Sequence, residues 1–204
     1  MRRSREDARE TRRKIIEAAQ RVFFNQGIAR TTLEQIARAA GVTRGAIYWN
    51  FENKADLINA VHAEIQMPAE EILLQILAED TPEALKRLEK HCADSLVQLH
   101  TDEHIRQVYS ILLLKCEHSE ETRLLNDRLR ESKIRITQNL KMFFARLQQA
   151  GHISPDDEPR LLAAGLYGFM LGLYSDYLRY PDLYRMPEDG KNLVRCFFKS
   201  FSGA

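Results

Sequence analysis

The sequence predicts an all-α protein that has a small N-terminal head and a larger C-terminal helical body. Apolar residues recur at helical spacing through most of the 204 residues, and no segment alternates apolar and polar residues as a β-strand would. Proline and glycine interrupt this pattern at intervals, as is typical of loops between helices. The predicted domain boundary divides the chain into a head, residues 1–53, and a body, residues 54–204.

The predicted helices follow one another along the chain with short breaks. Breaks at 79–82, 151–155 and 180–187 separate segments of the body. Pro68 is expected to break or kink the helix that begins at Lys54, because proline lacks an amide and clashes with the preceding turn. The predicted segments are 7–25, 33–40, 44–50, 54 to the break at Pro68, 70–78, 82–99, 103–116, 120–149, 157–179 and 188–201.

Residues 31–57 carry the most informative pattern, which is two short helices meeting at a glycine. Thr31 or Thr32 can cap the first helix, and Gly41 can end it in the left-handed conformation that glycine adopts at low cost. A polar and aromatic surface on a short second helix is what the DNA major groove accepts, so we interpret the block as a helix-turn-helix. The outward residues of the second helix are Thr43, Arg44, Gly45, Tyr48, Trp49 and Asn50.

The expected DNA contacts can be sorted into base contacts and backbone contacts. Arg44 is the best candidate for a guanine edge, because its guanidinium matches the O6 and N7 atoms. Tyr48 either reaches a phosphate or a thymine methyl or covers the core of the head. For Trp49, packing at the core edge and contact with a phosphate stay equally open. Further expected contact residues are Thr32, Thr43, Asn50 and Lys54, with Gly45 allowing close approach of the backbone.

The run AGVTRGAIYWNF, followed by ENKADL, resembles the TetR family of bacterial repressors, and most closely the branch that controls multidrug efflux pumps. The segments GIART at 27–31 and LLLKCEHSEE at 112–121 support that branch. The resemblance implies a ligand-responsive repressor with a drug-sized cavity in its helical body. The family usually has histidine where this chain has Asn50. Asparagine still donates to a phosphate or reads an adenine edge, so we expect DNA binding with a changed operator preference.

Charge is distributed unevenly along a chain whose net charge is only +1. Residues 1–60 contain 12 Lys and Arg against 7 Asp and Glu, whereas residues 61–204 contain 18 against 22. A basic head on an acidic body is expected when one end alone meets phosphates.

Cysteine usage and hydropathy both predict a cytoplasmic protein. Cys92, Cys116 and Cys196 have no paired or metal-like spacing, and we expect buried free thiols in a reducing compartment. No apolar stretch of a signal peptide follows the charged N-terminus. The longest apolar stretch, residues 161–173, is shorter than the roughly 18 residues of a membrane span, so we expect no membrane association.

Small residues on one face of the segment 157–179 predict a close helix contact. Glycine costs a helix about 1 kcal/mol, which packing across a two-fold axis would offset. A homodimer is also expected because one recognition helix reads too few bases of a palindromic operator. The alternative is packing within one subunit. The residues expected at the dimer interface are Gly165, Gly168, Gly172, Leu193 and Phe197.

A stripe of methionine and aromatic residues in the body predicts a cavity for lipophilic small molecules, because such side chains adapt to varied shapes. Plain core is the alternative for each residue alone, and the family resemblance favours the cavity. A carboxylate near it would favour cations. The residues expected to bind ligand are His62, Ile65, Gln66, Leu88, Cys92, Tyr109, Leu113, Tyr167, Met170, Leu171, Tyr174 and Asp176.

No catalytic motif or phosphate-binding loop is found in the sequence, and we expect neither an enzyme nor a cofactor. His100 and His104 are four residues apart but lack a third ligand nearby, so no metal site is predicted. Two alternatives to an inducible repressor stay open, a DNA-binding activator and an architectural DNA binder without an inducer. The operator, the controlled genes and the natural inducer are not specified by the sequence.

Overall fold

The computed structural model describes residues 5–79, 81–116 and 122–199. These residues form helices and no strand, which confirms the all-α prediction. A short 3-10 turn, Pro181–Leu183, precedes the last helix. The helices are α1 Arg5–Gln26, α2 Leu33–Ala40, α3 Arg44–Asn50, α4 Lys54–Leu77, α5 Pro82–Thr101, α6 Glu103–Leu114, α7 Arg123–Gln149, α8 Pro159–Arg179 and α9 Glu188–Lys199.

The chain divides into two compact units. The first unit contains the described residues of Met1–Met67 and Gln107–Leu129, and the second contains those of Pro68–Arg106 and Arg130–Ala204. Helices α4, α6 and α7 therefore contribute residues to both units.

The core of the first unit is built on α1, which packs against α2 and α3. Ile15 and Phe23 of α1 are fully buried, as are Ile36 of α2 and Ile47 of α3. Full burial of such a side chain is worth about 1.5–3 kcal/mol, so each short helix is held by its apolar residues rather than by its own helix propensity. The opposite sides of α2 and α3 are consequently free for contacts outside the unit.

The second unit is organised around α5, which packs against α8 and α9. Leu96 of α5, Phe143 of α7 and Val194 of α9 are fully buried. Close approach of α5 and α9 depends on Gly190, where an added Cβ would lie 2.9 Å from the Met186 sulfur and 3.3 Å from the Leu96 Cβ.

Of the two alternatives predicted at Pro68, a break or a kink, the break is wrong, and so is the separate helix at 70–78, because α4 continues from Lys54 to Leu77. A proline within a helix costs about 3 kcal/mol. Core packing at both ends of α4 offsets that cost, since Leu57 is fully buried in the first unit and Ile76 is buried in the second.

The other helix boundaries lie close to those predicted. Helix α6 ends at Leu114 instead of residue 116, and α8 begins at Pro159 instead of residue 157. The predicted helix ends at residues 120 and 201 lie outside the described residues.

Helix α8 extends at both ends beyond the apolar stretch 161–173. Among the described residues it is one helix of sufficient length and apolar composition to cross a membrane, with 21 residues from Pro159 to Arg179. The sequence interpretation considered only the stretch 161–173, whereas the 21-residue helix also contains Tyr174, Tyr177 and Leu178 beyond it. One such helix is weak evidence for a membrane span, because helices of soluble proteins also have this length and composition.

The three cysteines are free thiols in different surroundings. Cys92 is buried and Cys116 is half-buried, but Cys196 is exposed, so the expectation of three buried thiols is wrong for Cys196. Its position on α9 explains the difference. Val194 and Phe198 face the core, and a residue two positions from either of them points to the other side of the helix.

Candidate nucleic-acid interface and candidate ligand site

The turn between α2 and α3 is defined by caps at both ends of α2. The Thr32 hydroxyl accepts a hydrogen bond from the Gln35 amide at 3.2 Å, and the Gln35 side chain accepts one from the Thr32 amide at 2.8 Å. Gly41 then adopts a left-handed conformation with φ of 65°. The Val42 amide donates to the Ala37 carbonyl at 3.0 Å, which closes the helix end. Thr32, not Thr31, is therefore the cap.

Helix α3 presents one side to the core and the other to solvent. Its cap is Thr43, whose hydroxyl accepts a hydrogen bond from the Ala46 amide at 3.2 Å. Ala46 is buried with the fully buried Ile47, whereas Tyr48 is 50% exposed and Trp49 is 87% exposed. The core-edge alternative for Trp49 is thereby excluded, since packing would cover the indole.

Arg44 lies at the start of α3 and is held in an exposed position. Its Nη1 atom is 2.5 Å from the Glu34 Oε1 atom, and its guanidinium lies 5.6 Å from the centre of the Tyr48 ring. The pKa of Arg44 is raised by its hydrogen bond with Tyr48 and by the charge of Glu34. The guanidinium is consequently cationic throughout the physiological range, and only part of its donor set is engaged.

The remaining predicted interface residues have structural partners of their own. Asn50 is half-buried, and its Nδ2 atom donates to the Ala46 carbonyl at 2.8 Å. The Lys54 ammonium donates to the Ile28 carbonyl at 3.1 Å. At Gly45 an added Cβ would meet only the Thr43 hydroxyl oxygen, at 4.0 Å, so packing within the described chain does not require glycine there.

Two residues of this surface were missed by the sequence interpretation. Arg12 of α1 donates to the Asn50 carbonyl at 3.0 Å and lies 4.3 Å from the centre of the Phe51 ring, which ties the end of α3 to α1. Glu34 pairs with Arg44. Neither could be found from spacing, because both contacts join different helices.

The residues expected to bind ligand fall in both units. In the first unit His62, Tyr109 and Leu113 are half-buried, whereas the side chains of Ile65 and Gln66 lie outside the described residues. In the second unit Leu88 and Cys92 are buried within the core. Burial raises the pKa of the Cys92 thiol to about 12, so the thiol is neutral at physiological pH and packs as an apolar group.

Three predicted ligand residues form a half-buried row on α8. Met170 and Tyr174 pack against the core of the second unit, and the Tyr174 hydroxyl donates to the Ser95 hydroxyl at 2.6 Å. Burial raises the pKa of Tyr167, and the Lys133 ammonium lies 5.5 Å from the centre of its ring. These side chains combine apolar area with a few polar groups.

Leu171 and Asp176 are exposed, unlike the other described members of the expected ligand set. Leu171 is 39% exposed, and Asp176 is exposed and accepts a hydrogen bond from Tyr184. That bond raises the pKa of Tyr184 to about 12. Open grooves of the described second unit include one of about 330 Å³ along α5 and α9 and one of about 390 Å³ along α4 and α7. Neither is lined by a residue from the predicted ligand set.

The glycine face of α8 is open to solvent in the single chain. Gly165, Gly168 and Gly172 are exposed. An added Cβ at Gly165 would lie 3.9 Å from the Phe197 ring, and at Gly168 and Gly172 it would meet no described atom within 4 Å. Leu193 and Phe197 of α9 are partly exposed, and Phe197 stacks on Phe169 at 4.5 Å between ring centres.

The two histidines considered for a metal site lie on either side of a helix boundary. Helix α5 ends at Thr101 and α6 begins at Glu103. His100 Nδ1 lies 2.7 Å from the Tyr177 hydroxyl. Over the described residues there is no group of three or more His, Cys, Asp or Glu side chains that could hold a metal ion.

A capped pair of short helices, with the second one anchored on its apolar side and exposing arginine and aromatic side chains, defines a helix-turn-helix DNA-binding protein. Comparison with known families agrees. Residues 15–61 match bacterial regulatory proteins of the tetR family, and residues 83–202 match the C-terminal region of MAATS-type transcriptional repressors. This chain belongs to the tetR family, which confirms the resemblance seen in its helix-turn-helix motif.

Individual relatives cover nearly the whole chain. The transcriptional regulator TtgR of Pseudomonas putida is 32% identical over 89% of this chain and 87% of its own length. NalD, the secondary repressor of the MexAB-OprM multidrug efflux pump in Pseudomonas aeruginosa, has a crystal structure that superposes with a TM-score of 0.88 at 34% identity, covering 97% of this chain and 98% of NalD. A complex of SmeT with triclosan gives a TM-score of 0.86 at 26% identity, covering 95% of this chain and 92% of SmeT.

Proposed function

We propose that this protein is a cytoplasmic repressor of a multidrug efflux operon, which binds a palindromic operator as a homodimer and is released by lipophilic small molecules. The observation that carries the proposal is the exposed side of α3, with Arg44, Tyr48 and Trp49 outward and Ile47 anchored in the core. Similarity to NalD and to SmeT, the repressor of the multidrug efflux pump SmeDEF in Stenotrophomonas maltophilia, supports an efflux operon as the regulated target.

On DNA, α3 enters the major groove and its first residue reads sequence. Arg44 binds a guanine edge, and Tyr48 and Trp49 contact the sugar-phosphate backbone beside it. The hydroxyl of Thr32, at the start of α2, and the ammonium of Lys54 add backbone contacts. The excess of five cationic residues among residues 1–60 supplies the electrostatic part of the affinity.

The homodimer forms through α8 and α9. The exposed Gly168 and Gly172 allow the same helix of a second copy to approach closely, with Leu193 and Phe197 alongside. A two-fold pair sets the recognition helices about 34–36 Å apart, which is one turn of DNA and matches the two halves of a palindrome.

The inducer is a lipophilic molecule that contacts Tyr167, Met170 and Tyr174. Their half-buried apolar surface supports this choice, as does the complex of the related SmeT with triclosan. The exposed Asp176 carboxylate accepts a hydrogen bond from Tyr184 and is not assigned a role in selecting cationic inducers. The ligand binds more tightly to the state in which the recognition helices do not match the operator. DNA affinity then falls by the difference between the ligand's affinities for the two states.

Fluorescence anisotropy on a labelled duplex from upstream of the protein's own gene tests this proposal. The titration uses physiological salt and excess competitor DNA, followed by triclosan, lipophilic cations and plant phenolics. We expect binding that resists competitor and is reversed by at least one compound class. Tight binding that none of these compounds reverses would contradict release by small molecules. If the protein binds neither this duplex nor any duplex selected from a random library, the proposed DNA-binding function is contradicted as well.

A pair of variants separates the ligand contacts from general damage to α8. Tyr167→Ala should keep wild-type DNA affinity and require at least about tenfold more triclosan for release, because it removes a half-buried aromatic wall worth more than about 1.4 kcal/mol. Leu161→Ala is the control, since Leu161 lies on the same helix and is 54% exposed. Equal triclosan responses in the two variants would contradict the assigned ligand contacts.

A further inference from the structure

One acidic side chain lies directly beside the residue expected to read DNA sequence. Glu34, in the first turn of α2, approaches Arg44 at the start of α3, with 2.5 Å between the carboxylate Oε1 and the guanidinium Nη1. Both side chains are mostly exposed, at 56% for Glu34 and 66% for Arg44. The Tyr48 ring lies 5.6 Å from the same guanidinium. Arg44 is thus held between a carboxylate and a ring on the exposed side of α3.

The ion pair itself contributes little to stability, although Glu34 also lies in the first turn of α2, where an acid interacts favourably with the helix dipole by about 0.3–1 kcal/mol. Exposed pairs contribute about 0–1 kcal/mol, and Glu34 takes no part in the capping box, which uses Thr32 and Gln35. A carboxylate on a DNA-facing surface also repels phosphates. Because residues 1–60 are basic, with 12 Lys and Arg against 7 acids of which Glu34 is one, an acid at this position weakens the general attraction to DNA. We therefore expect Glu34 to influence which group of the DNA Arg44 contacts.

We propose that Glu34 is a positioning residue that directs Arg44 to a guanine edge and away from the phosphate backbone; this inference rests on the proposed DNA-binding function. Glu34 occupies the Nη1 side of the guanidinium, which leaves other N–H donors for the O6 and N7 acceptors of guanine. The same carboxylate repels a phosphate that approaches Arg44. Without Glu34, the flexible arginine neutralises the nearest phosphate and reads no base.

The test uses duplexes in which each guanine is replaced in turn by 7-deazaguanine, which lacks the N7 acceptor. The parent duplex is the tightest one selected by the wild-type protein from a random library, and affinities are measured by anisotropy. Wild-type protein should lose at least about fivefold in affinity at one guanine of each half-site. For Glu34→Gln we expect that loss to shrink below about twofold. Its affinity for unrelated DNA should rise about threefold or more, and the slope of log affinity against log salt should steepen by about one per recognition helix.

The matched control is Glu17→Gln. Glu17 is also an exposed acid paired with an arginine, Arg13, and it lies in the same unit but on α1. This variant removes the same charge and should retain the full 7-deazaguanine penalty. Coupling is tested in the Arg44→Ala background, where a further Glu34→Gln exchange should leave the guanine discrimination unchanged, because Glu34 acts through Arg44.

Three results overturn the inference. The first is that Glu34→Gln loses as much affinity on 7-deazaguanine substitution as the wild type does. The second is that the wild type loses no affinity at any guanine. The third is that Glu17→Gln loses as much guanine discrimination as Glu34→Gln does. If the wild-type protein selects no DNA sequence at all, the proposed function fails together with this inference. If it selects a sequence and Glu34→Gln still discriminates fully, only the role of Glu34 fails. Equal melting temperatures of wild type and Glu34→Gln establish that both proteins are folded.

Discussion

Replacing Trp49 by alanine should separate DNA binding from folding, because 87% of this residue is exposed on α3. A tryptophan has roughly 250 Å² of area to bury, so the protein itself covers only about 30 Å² of it. At about 25 cal/mol per Å², the exchange removes less than about 1 kcal/mol from the free energy of unfolding. Melting temperature and urea midpoint should therefore change little.

The exposed area of Trp49 is the part available to DNA. If DNA covers half of this exposed area, about 100 Å², burial contributes roughly 2.5 kcal/mol per recognition helix to the free energy of DNA binding. Ordering the side chain costs about 0.5–1.5 kcal/mol, which leaves about 1–2 kcal/mol. With two recognition helices in a dimer, Trp49→Ala should weaken operator binding by at least about 30-fold.

The assay is anisotropy on the selected operator duplex, with thermal unfolding of each variant measured in parallel. Leu183→Ala is the matched control, because Leu183 is 74% exposed but lies in the second unit, and its exchange should leave both quantities unchanged. Ile47→Ala, at the fully buried position on α3, should lower the free energy of unfolding by about 2–5 kcal/mol. Operator affinity of Trp49→Ala within twofold of wild type would refute the assignment of this surface to DNA.

Three further predictions address the cap, the dimer and a buried thiol. Thr32→Ala should lower the free energy of unfolding in urea by about 1 kcal/mol, whereas Thr32→Ser should retain the cap; equal values for the two would contradict the capping role. Gly172→Arg should stay folded, because no described atom lies within 4 Å of the added Cβ, yet sediment as a monomer; a dimer would place the two-fold contact elsewhere. Burial raises the pKa of Cys92 from 9.0 to about 12, so the folded state keeps a proton that the unfolded state loses, and stability should fall from about pH 9 to pH 12. In urea titrations at alkaline pH, Cys92→Ala should reduce this fall in the free energy of unfolding, whereas Cys196→Ala should leave it unchanged. The same dependence on pH in both variants would contradict the role assigned to burial of Cys92.

The sequence predicted best those features that depend on neighbouring residues. A threonine cap at residue 31 or 32, the left-handed Gly41 and the inward Ile47 follow from local hydrogen bonding and helical periodicity, and the structure contains all three, with Thr32 as the cap. The family assignment rests on the same block and is confirmed by the comparisons.

Features set by packing between distant segments escaped prediction. Pro68 looked like a helix end, but core residues on both sides of it hold α4 in one piece. The hydrogen bond that the Asp176 carboxylate accepts from Tyr184, eight residues further along the chain, was not predicted. The pairing of Glu34 with Arg44 depends on the turn geometry between two helices, which spacing alone does not specify.

Hydroxyl-radical footprinting on the selected duplex tests the central claim most directly, namely that α3 is the surface with which a dimer reads DNA. We expect two protected half-sites about 10 base pairs apart, related by a two-fold axis and lost together in Trp49→Ala. Protection that has no two-fold symmetry, or that persists unchanged in Trp49→Ala, would contradict it.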